Sequence, residues 1–389
     1  MKKILIVGNF NDEKWIGALI RNVKAADNSL SIDVFNVNYT YNTNNKTVAY
    51  CDKIICKTRH FPSFMYSIPK IRGYCFSLDT YKSFREWIEQ CIDSNTIYDA
   101  VNFHFLRNET LDLSRKLKKI ARRIILSPWG TDVLRASKKA LNRLKQNAAN
   151  CDIITLCDNV RFNSEVTQKI GNDKIEYRIV GLGAEVIDNL AKRLTVSQIS
   201  AKEHLGIADK YVIEIGYNGS KGQNHVRVIE AIASIRDRLP GNLCIVLPMT
   251  YGLTAGYKHE LVSTLSKFNL DYKLYTEYLS TDDVFYLRRC SDIFIHAQKT
   301  DANSASLAEY MICQITIVNA SWLSYKGRES YGKPYYEFDS FNNLPQAILR
   351  AHKGGSLVSS QLVNDLKKLG WSFVAPKWVN LYKDSKDEL

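Results

Sequence analysis

The chain of 389 residues carries 53 Lys and Arg against 40 Asp and Glu, a formal net charge of +13. Its 45% apolar and 24% charged residues are the make-up of a soluble globular protein. The length suits two domains of roughly 150–200 residues each, and no apolar run approaches the roughly 20 residues that span a bilayer.

Met1-Lys-Lys-Ile-Leu-Ile-Val-Gly8 ends its apolar run too soon for an export signal and reads as a first buried strand. Strand-like runs then follow at Ile32–Val37, Lys53–Cys56, Ala100–Phe105, Ile124–Ser127, Ile153–Leu156 and Tyr177–Val180. Amphipathic stretches at Tyr81–Cys91, Leu111–Arg122 and Ser137–Asn147 lie between them. The pattern loosens over Asn189–Leu205 and restarts, with strands expected at Tyr211–Ile215, Leu243–Met249, Tyr272–Tyr275, Ile293–His296, Ile315–Asn319 and Tyr335–Phe338. Helical patterns at Gln223–Arg238, Leu261–Phe268, Thr281–Arg289 and Ser306–Cys313 separate those. Strand–helix alternation implies an α/β fold of two doubly wound parallel sheets. The expectation is two Rossmann-like domains, residues 1–190 and 200–359, facing across a cleft, with a C-terminal helix in 360–389 packing back on the first.

Nine Cys are scattered without C-x-x-C or zinc spacing and read as reduced thiols, so the chain is expected in the cytoplasm. The closing Lys386-Asp-Glu-Leu389 spells an ER-retention address, which means nothing on a chain that has not entered the ER. Between Arg115 and Lys145 eleven basic residues are opposed by Asp132 alone. A solvated helix face, an anionic membrane surface and nucleic acid compete for that run. No recognition-helix, zinc-finger or RNP-type motif supports nucleic acid.

Ligands of open parallel sheets bind beyond the carboxyl ends of the strands. Three second-domain loops stand there. Gly216-Tyr-Asn218-Gly219-Ser220-Lys221-Gly222-Gln-Asn-His225 offers glycines for close backbone approach and a lysine for a phosphate. Pro248-Met249-Thr-Tyr251-Gly252 could line a sugar or base pocket. After Ile293–His296, the third loop carries Asp301, then Asn303, Ser304, Ala305 and Ser306 at a helix start, then Glu309. A helix start attracts phosphate, and two carboxylates suit hydroxyl groups, so the pattern points to a nucleotide sugar. No two Asp stand at i, i+2, so the D-x-D element that holds a metal on a diphosphate is missing and a metal-free site is expected. In the first domain His104 reads either as a core imidazole or as a base, and Asp132 either as a helix cap or as a base for an acceptor hydroxyl.

These pieces resemble the two-domain GT-B glycosyltransferases. Asp301-x7-Glu309 is similar to the E-x7-E element of their large retaining family, with Asp in place of the first Glu. Asn218-Gly-Ser with Asn224-His225, Pro248-Met249-x-Tyr251-Gly252 and Trp129-Gly130-x-Asp132 are similar to the bacterial 4-acetamido-4-deoxyfucose transferase family. The resemblance implies transfer from a dTDP-, UDP- or GDP-sugar to a lipid-linked or nascent glycan acceptor in bacterial surface polysaccharide synthesis, such as O-antigen or capsule, at the inner face of the membrane. The donor would meet Asn218, Gly219, Ser220, Lys221, His225, Met249, Tyr251, Gly252, Asp301, Asn303, Ser304, Ala305, Ser306 and Glu309, with Asp301 on the sugar and Glu309 on the ribose. Trp129, Gly130 and Asp132 would meet the acceptor, with His104 and Asp132 as bases. An epimerase or hydrolase of the same fold, or a non-enzymatic module for anionic polymers, are the other readings.

Overall fold

The apolar runs become parallel strands because layers of helix cover both faces of each sheet. The computed structural model describes residues 1–301, 304–323 and 332–383. The chain forms two compact units, Met1–Gly183 with Trp371–Leu389, and Ala184–Gly370. In the first, strands β1 (Lys3–Gly8), β2 (Ser31–Asn36), β3 (Lys53–Cys56), β4 (Ala100–His104), β5 (Ile124–Ser127), β6 (Ile153–Leu156) and β7 (Glu176–Ile179) make one sheet. Its order is β3-β2-β1-β4-β5-β6-β7. In the second, β8 (Tyr211–Ile215), β9 (Leu243–Pro248), β10 (Asp271–Tyr275), β11 (Ile293–His296), β12 (Thr316–Ala320) and β13 (Tyr336–Phe338) follow the order β10-β9-β8-β11-β12-β13. Every pairing is parallel. Strand order reverses between β1 and β4, and again between β8 and β11. Each reversal opens a crevice at the carboxyl ends of those two strands.

The helices depart from expectation in three places. The stretch expected at Tyr81–Cys91 is a 25-residue helix, Pro69–Asp93, started by a proline whose missing N–H costs nothing at the first position. The single helix expected over Leu111–Arg122 is two short ones, Asn108–Leu111 and Ser114–Leu117. The C-terminal stretch divides at Gly370. Leu362, Val363 and Leu366 of the helix Ser360–Lys367 enter the second unit's core. Trp371–Lys383 joins the first, burying Trp371, Trp378 and Tyr382 with Leu19, Ile20 and Val23. The boundary expected near 190 falls at 183, because Ile187 and Leu190 bury in the second core.

Two polar devices fasten the last helix. Trp378 Nε1 donates to the Gly181 carbonyl at 2.9 Å. Arg123, one of the basic run, donates to the carbonyls of Leu381 and Tyr382 at 3.0 and 2.9 Å. Gly183 has no room for a side chain, since a Cβ would stand 2.5 Å from the Trp371 ring. Trp378→Ala is expected to destabilise the chain by about 3–5 kcal/mol, while Phe373→Ala, at a position 52% exposed, changes stability by less than about 0.5 kcal/mol. Thermal unfolding of the two variants measures both.

Candidate functional site

The loops after β8, β9 and β11 are laced together at the second crevice. Asn224, in the left-handed region at φ 61°, donates through Nδ2 to the Ala297 carbonyl at 2.6 Å. Lys299 N–H bonds the Gly222 carbonyl at 2.9 Å. Tyr217 OH and Gln223 Nε2 both donate to Gln298 Oε1, at 3.0 and 2.8 Å. Gly219 N–H reaches the Tyr251 carbonyl at 2.7 Å, and a Cβ on Gly219 would stand 2.5 Å from that of Leu253. Ser220 N–H is held by Asn218 Oδ1 at 2.9 Å.

The residues expected on the donor divide by exposure. Tyr251 is 56% exposed, at an open depression of about 250 Å³ lined also by Gly252, Thr254, Lys258 and Thr276. Lys221 is exposed, pairs with Glu260 at 2.7 Å and lies 5.1 Å from the Tyr257 ring centre. That pair is screened by water, so an incoming anion can replace Glu260 at little cost. His225 and Met249 are buried instead. Burial pushes the His225 imidazole down to about 3, and Tyr257 OH lies 3.0 Å from its Nδ1. His225 is thus held beneath the loops, while Met249 lines the open depression beside Tyr251.

The acid pair is split. Asp301, its side chain 12% exposed, stands 3.6 Å from His296 Nε2 at the end of β11. Asn319 donates its amide to the carbonyls of Ala320 and Leu323, at 3.1 Å each, which leaves Oδ1 facing His296 Nδ1 at 2.9 Å. An oxygen that only accepts fixes a proton on Nδ1 and turns Nε2 toward Asp301. Ser304 caps the helix Ala305–Ile312 by accepting from Leu307 N–H at 3.0 Å. Ala305 and Ser306 form that helix's first turn; Asn303 lies outside the described residues. Glu309 is 2% exposed and accepts from Arg288 Nε at 2.8 Å. Arg288 also reaches Glu214 at 3.0 Å and Tyr310 OH at 2.6 Å, and Ser291 donates to the second Glu214 oxygen at 2.7 Å. This geometry already pairs Glu309 with Arg288 inside the core, so the expected ribose contact would have to share a carboxylate that Arg288 holds.

The first-unit candidates are also internal. Asp132 accepts from the N–H groups of Leu106 and Gly130 at 2.8 Å and of Trp129 at 3.0 Å. Burial raises its pKa despite these bonds. It holds the turn rather than waiting as a base. His104 is 2% exposed, and burial pushes it down to about 3. Asn102 accepts from Ser127 at 2.9 Å and so turns its amide to His104 Nε2 at 3.0 Å and to Tyr382 OH at 2.9 Å. The core reading of His104 is the one the geometry carries. Trp129 remains half-buried, edge-on to Trp15 and Phe105 at 6.4 and 6.2 Å. Phe105 stands at φ 60°, a strained position for an aromatic residue, and Gly130 at φ 122°. Trp15 and Phe105 follow β1 and β4, the strands that flank the first crevice.

No family model matches the chain, and no curated protein matches its sequence. Solved structures match its fold. A sucrose-phosphate synthase from Thermosynechococcus elongatus superposes with a TM-score of 0.74 at 11% identity, covering 99% of both chains. An α,α-trehalose-phosphate synthase from Burkholderia xenovorans gives 0.66 at 11% identity over 100% of each chain. Anabaena HepE, solved with UDP and glucose, gives 0.64 at 14% identity over 98% of this chain and 95% of its own. The fold is GT-B.

Within that GT-B frame the sequence reading missed Arg288, Glu214, His296, Gln298, Tyr217, Trp15 and Phe105. Glu214 had a visible signal, a lone carboxylate in Tyr-Val-Ile-Glu-Ile that had to find a buried cation. Among the described residues no group of three His, Cys, Asp or Glu side chains could hold a metal ion, and no helix is long and apolar enough to cross a membrane.

One guanidinium serves two carboxylates here, and burial, opposed by Arg288, pushes Glu214 up to about 7. A raised carboxylate favours the folded state while it is protonated in that state. The contribution is therefore complete below the ordinary value of 4.5 and lost as pH rises through about 7. Denaturant unfolding is expected to show wild type gaining stability relative to Glu214→Gln as pH falls across that window. Arg288→Met strands both acids and costs about 3–5 kcal/mol at neutral pH, read as a lowered melting temperature.

Proposed function

We propose that this chain is a glycosyltransferase that takes a sugar from a nucleotide donor bound by the second unit. The observation that carries the reading is the lacing of the three loops at the β8/β11 crevice, with Lys221 in an exchangeable ion pair and Asp301 at the crevice mouth. Lys221 would trade Glu260 for the diphosphate, joined by Ser220 and by the first turn of the helix Ala305–Ile312. Asp301 would accept hydrogen bonds from hydroxyls of the donor sugar, with the His296 ring packed 3.6 Å behind it. Tyr251 and Gly252 would flank the nucleoside. Glu309 contributes by anchoring the helix rather than by touching the ribose.

The bond between the anomeric carbon and the diphosphate breaks, and its electron pair leaves on the nucleoside diphosphate. The acceptor hydroxyl bonds the same carbon and gives up its proton to the departing diphosphate oxygen. Charge grows on the leaving phosphate, so Lys221, once it has exchanged Glu260 for the diphosphate, and oriented N–H groups are the main stabilising elements. The absence of D-x-D supports a reaction that needs no metal. UDP is the favoured base, because HepE of the same fold is solved with UDP and glucose.

The acceptor is proposed to be a lipid-linked or nascent glycan of a bacterial surface polysaccharide, handled by a cytoplasmic enzyme at the membrane. This rests on the Trp129-Gly130-x-Asp132 resemblance and the net charge of +13. Trp129, with Trp15 and Phe105, offers aromatic rings at the first crevice on which a sugar face can stack.

Titration calorimetry with UDP, dTDP and GDP, followed by nucleoside diphosphate release with lipid-linked acceptors, tests the reading. Lys221→Ala is expected to weaken donor binding about tenfold. Asp301→Asn is expected to lower turnover about a hundredfold with a smaller effect on binding. Unchanged values in both variants overturn the site. Full-rate turnover of a nucleotide sugar without acceptor overturns transfer in favour of hydrolysis or epimerisation.

A further inference from the structure

The connection that follows β3 leaves large apolar side chains out of the core. Phe64 is 67% exposed, Tyr74 65% and Ile68 41%. They lie on the short helix Ser63–Ser67 and at the start of Pro69–Asp93. The segment around them is pinned. Tyr66 and Tyr39 donate to the buried Asp79 carboxylate at 2.5 and 2.6 Å, and His60 N–H bonds it at 2.9 Å. Cys75, Phe84, Trp87 and Ile88 of the long helix are buried. Phe64, Ile68 and Tyr74 are thus presented by a fixed support.

Along the segment that carries these tips the formal charge has one sign, and the exposed acid that reaches it from the long helix is Glu86, 3.7 Å from His60. From Lys53 to Leu78 there is no Asp or Glu, while Lys53, Lys57, Arg59, Lys70 and Arg72 fall in that stretch. Arg59, Lys70 and Arg72 are exposed beside the apolar tips, and the next acid, Asp79, is turned inward. We propose that residues 59–74 form a docking tip for an anionic phospholipid surface, with Phe64, Ile68 and Tyr74 entering the headgroup layer and Arg59, Lys70 and Arg72 meeting the phosphates.

The basic run at 115–145 is a poorer candidate for that surface. Lys116 pairs with Glu89, Arg122 with Asp99 and Arg143 with Asp112, and Arg123 is spent on the last helix. Within residues 115–145 no large hydrophobic side chain is exposed, and Ile97 is exposed next to Tyr98, which pairs with Ala121. The tip gives one source for both attractions, charge and apolar insertion, which a monolayer of acidic lipid offers together.

Co-sedimentation of the full chain with phosphatidylglycerol-containing vesicles and with pure phosphatidylcholine vesicles tests this. Wild type is expected to bind the former and not the latter. Phe64→Ser/Ile68→Ser/Tyr74→Ser and Lys70→Glu/Arg72→Glu are each expected to lose binding about tenfold or more with unchanged melting temperature. Phe64→Trp is expected to add fluorescence that brominated lipid quenches. Wild-type-like vesicle binding by the triple variant overturns the proposal, as does loss of binding only in Lys118→Glu/Lys119→Glu/Lys138→Glu/Lys139→Glu. A wild-type dimer that the triple variant abolishes, without vesicle binding, assigns the face to a second copy instead. Donor binding in solution is read separately, so failure of the glycosyltransferase reading and failure of the docking tip are told apart.

Discussion

Much of the second unit hangs on one guanidinium. Arg288 sits in a helix, Glu214 in the strand beside the crevice, and Glu309 and Tyr310 in the helix that follows the Asp301 loop. Such a buried set is costly to assemble and costlier to break. Its geometry fixes how far that helix stands from β8, and so where the helix's first turn and Ser304 cap lie. The phosphate-facing end of the proposed site is therefore set from behind, by charges a ligand never meets.

The same logic separates the two acids. Eight residues apart in sequence, Asp301 and Glu309 read as one wall of a pocket. The helix that begins between them turns the second inward, where Arg288 takes it, and leaves the first near His296 and the loops. One acid stays at the loops and the other is paired in the core. A parallel division holds in the first unit, where Asp132 and His104 secure a turn and a strand end while the half-buried Trp129 stays available.

The thirteen strands of the described residues were legible in the sequence: the central ones, buried on both faces, read as continuous apolar runs, and the edge strands β3, β7, β10 and β13 by their place in the strand–helix alternation. The helices were less so. A proline start at Pro69 extended one, and a break around Leu113 divided another. The loops after β8, β9 and β11 stood out by position and composition, and the folded chain hydrogen-bonds them to one another. What spacing could not reveal was which polar side chains face inward: Arg288 meets Glu214 across 74 residues, and Asn102 meets Tyr382 across 280. Those partnerships exist only in the folded chain.

The chain leaves the first unit at Gly183 and returns to it at Trp371. During synthesis the second unit is therefore complete, and free to fold, before the first has received its final helix. Until then the surface made by Leu19, Ile20 and Val23 stays uncovered. The host sheet is thus the later-maturing of the two units, and the one that a chain stalled before Trp371 would leave exposed to chaperones.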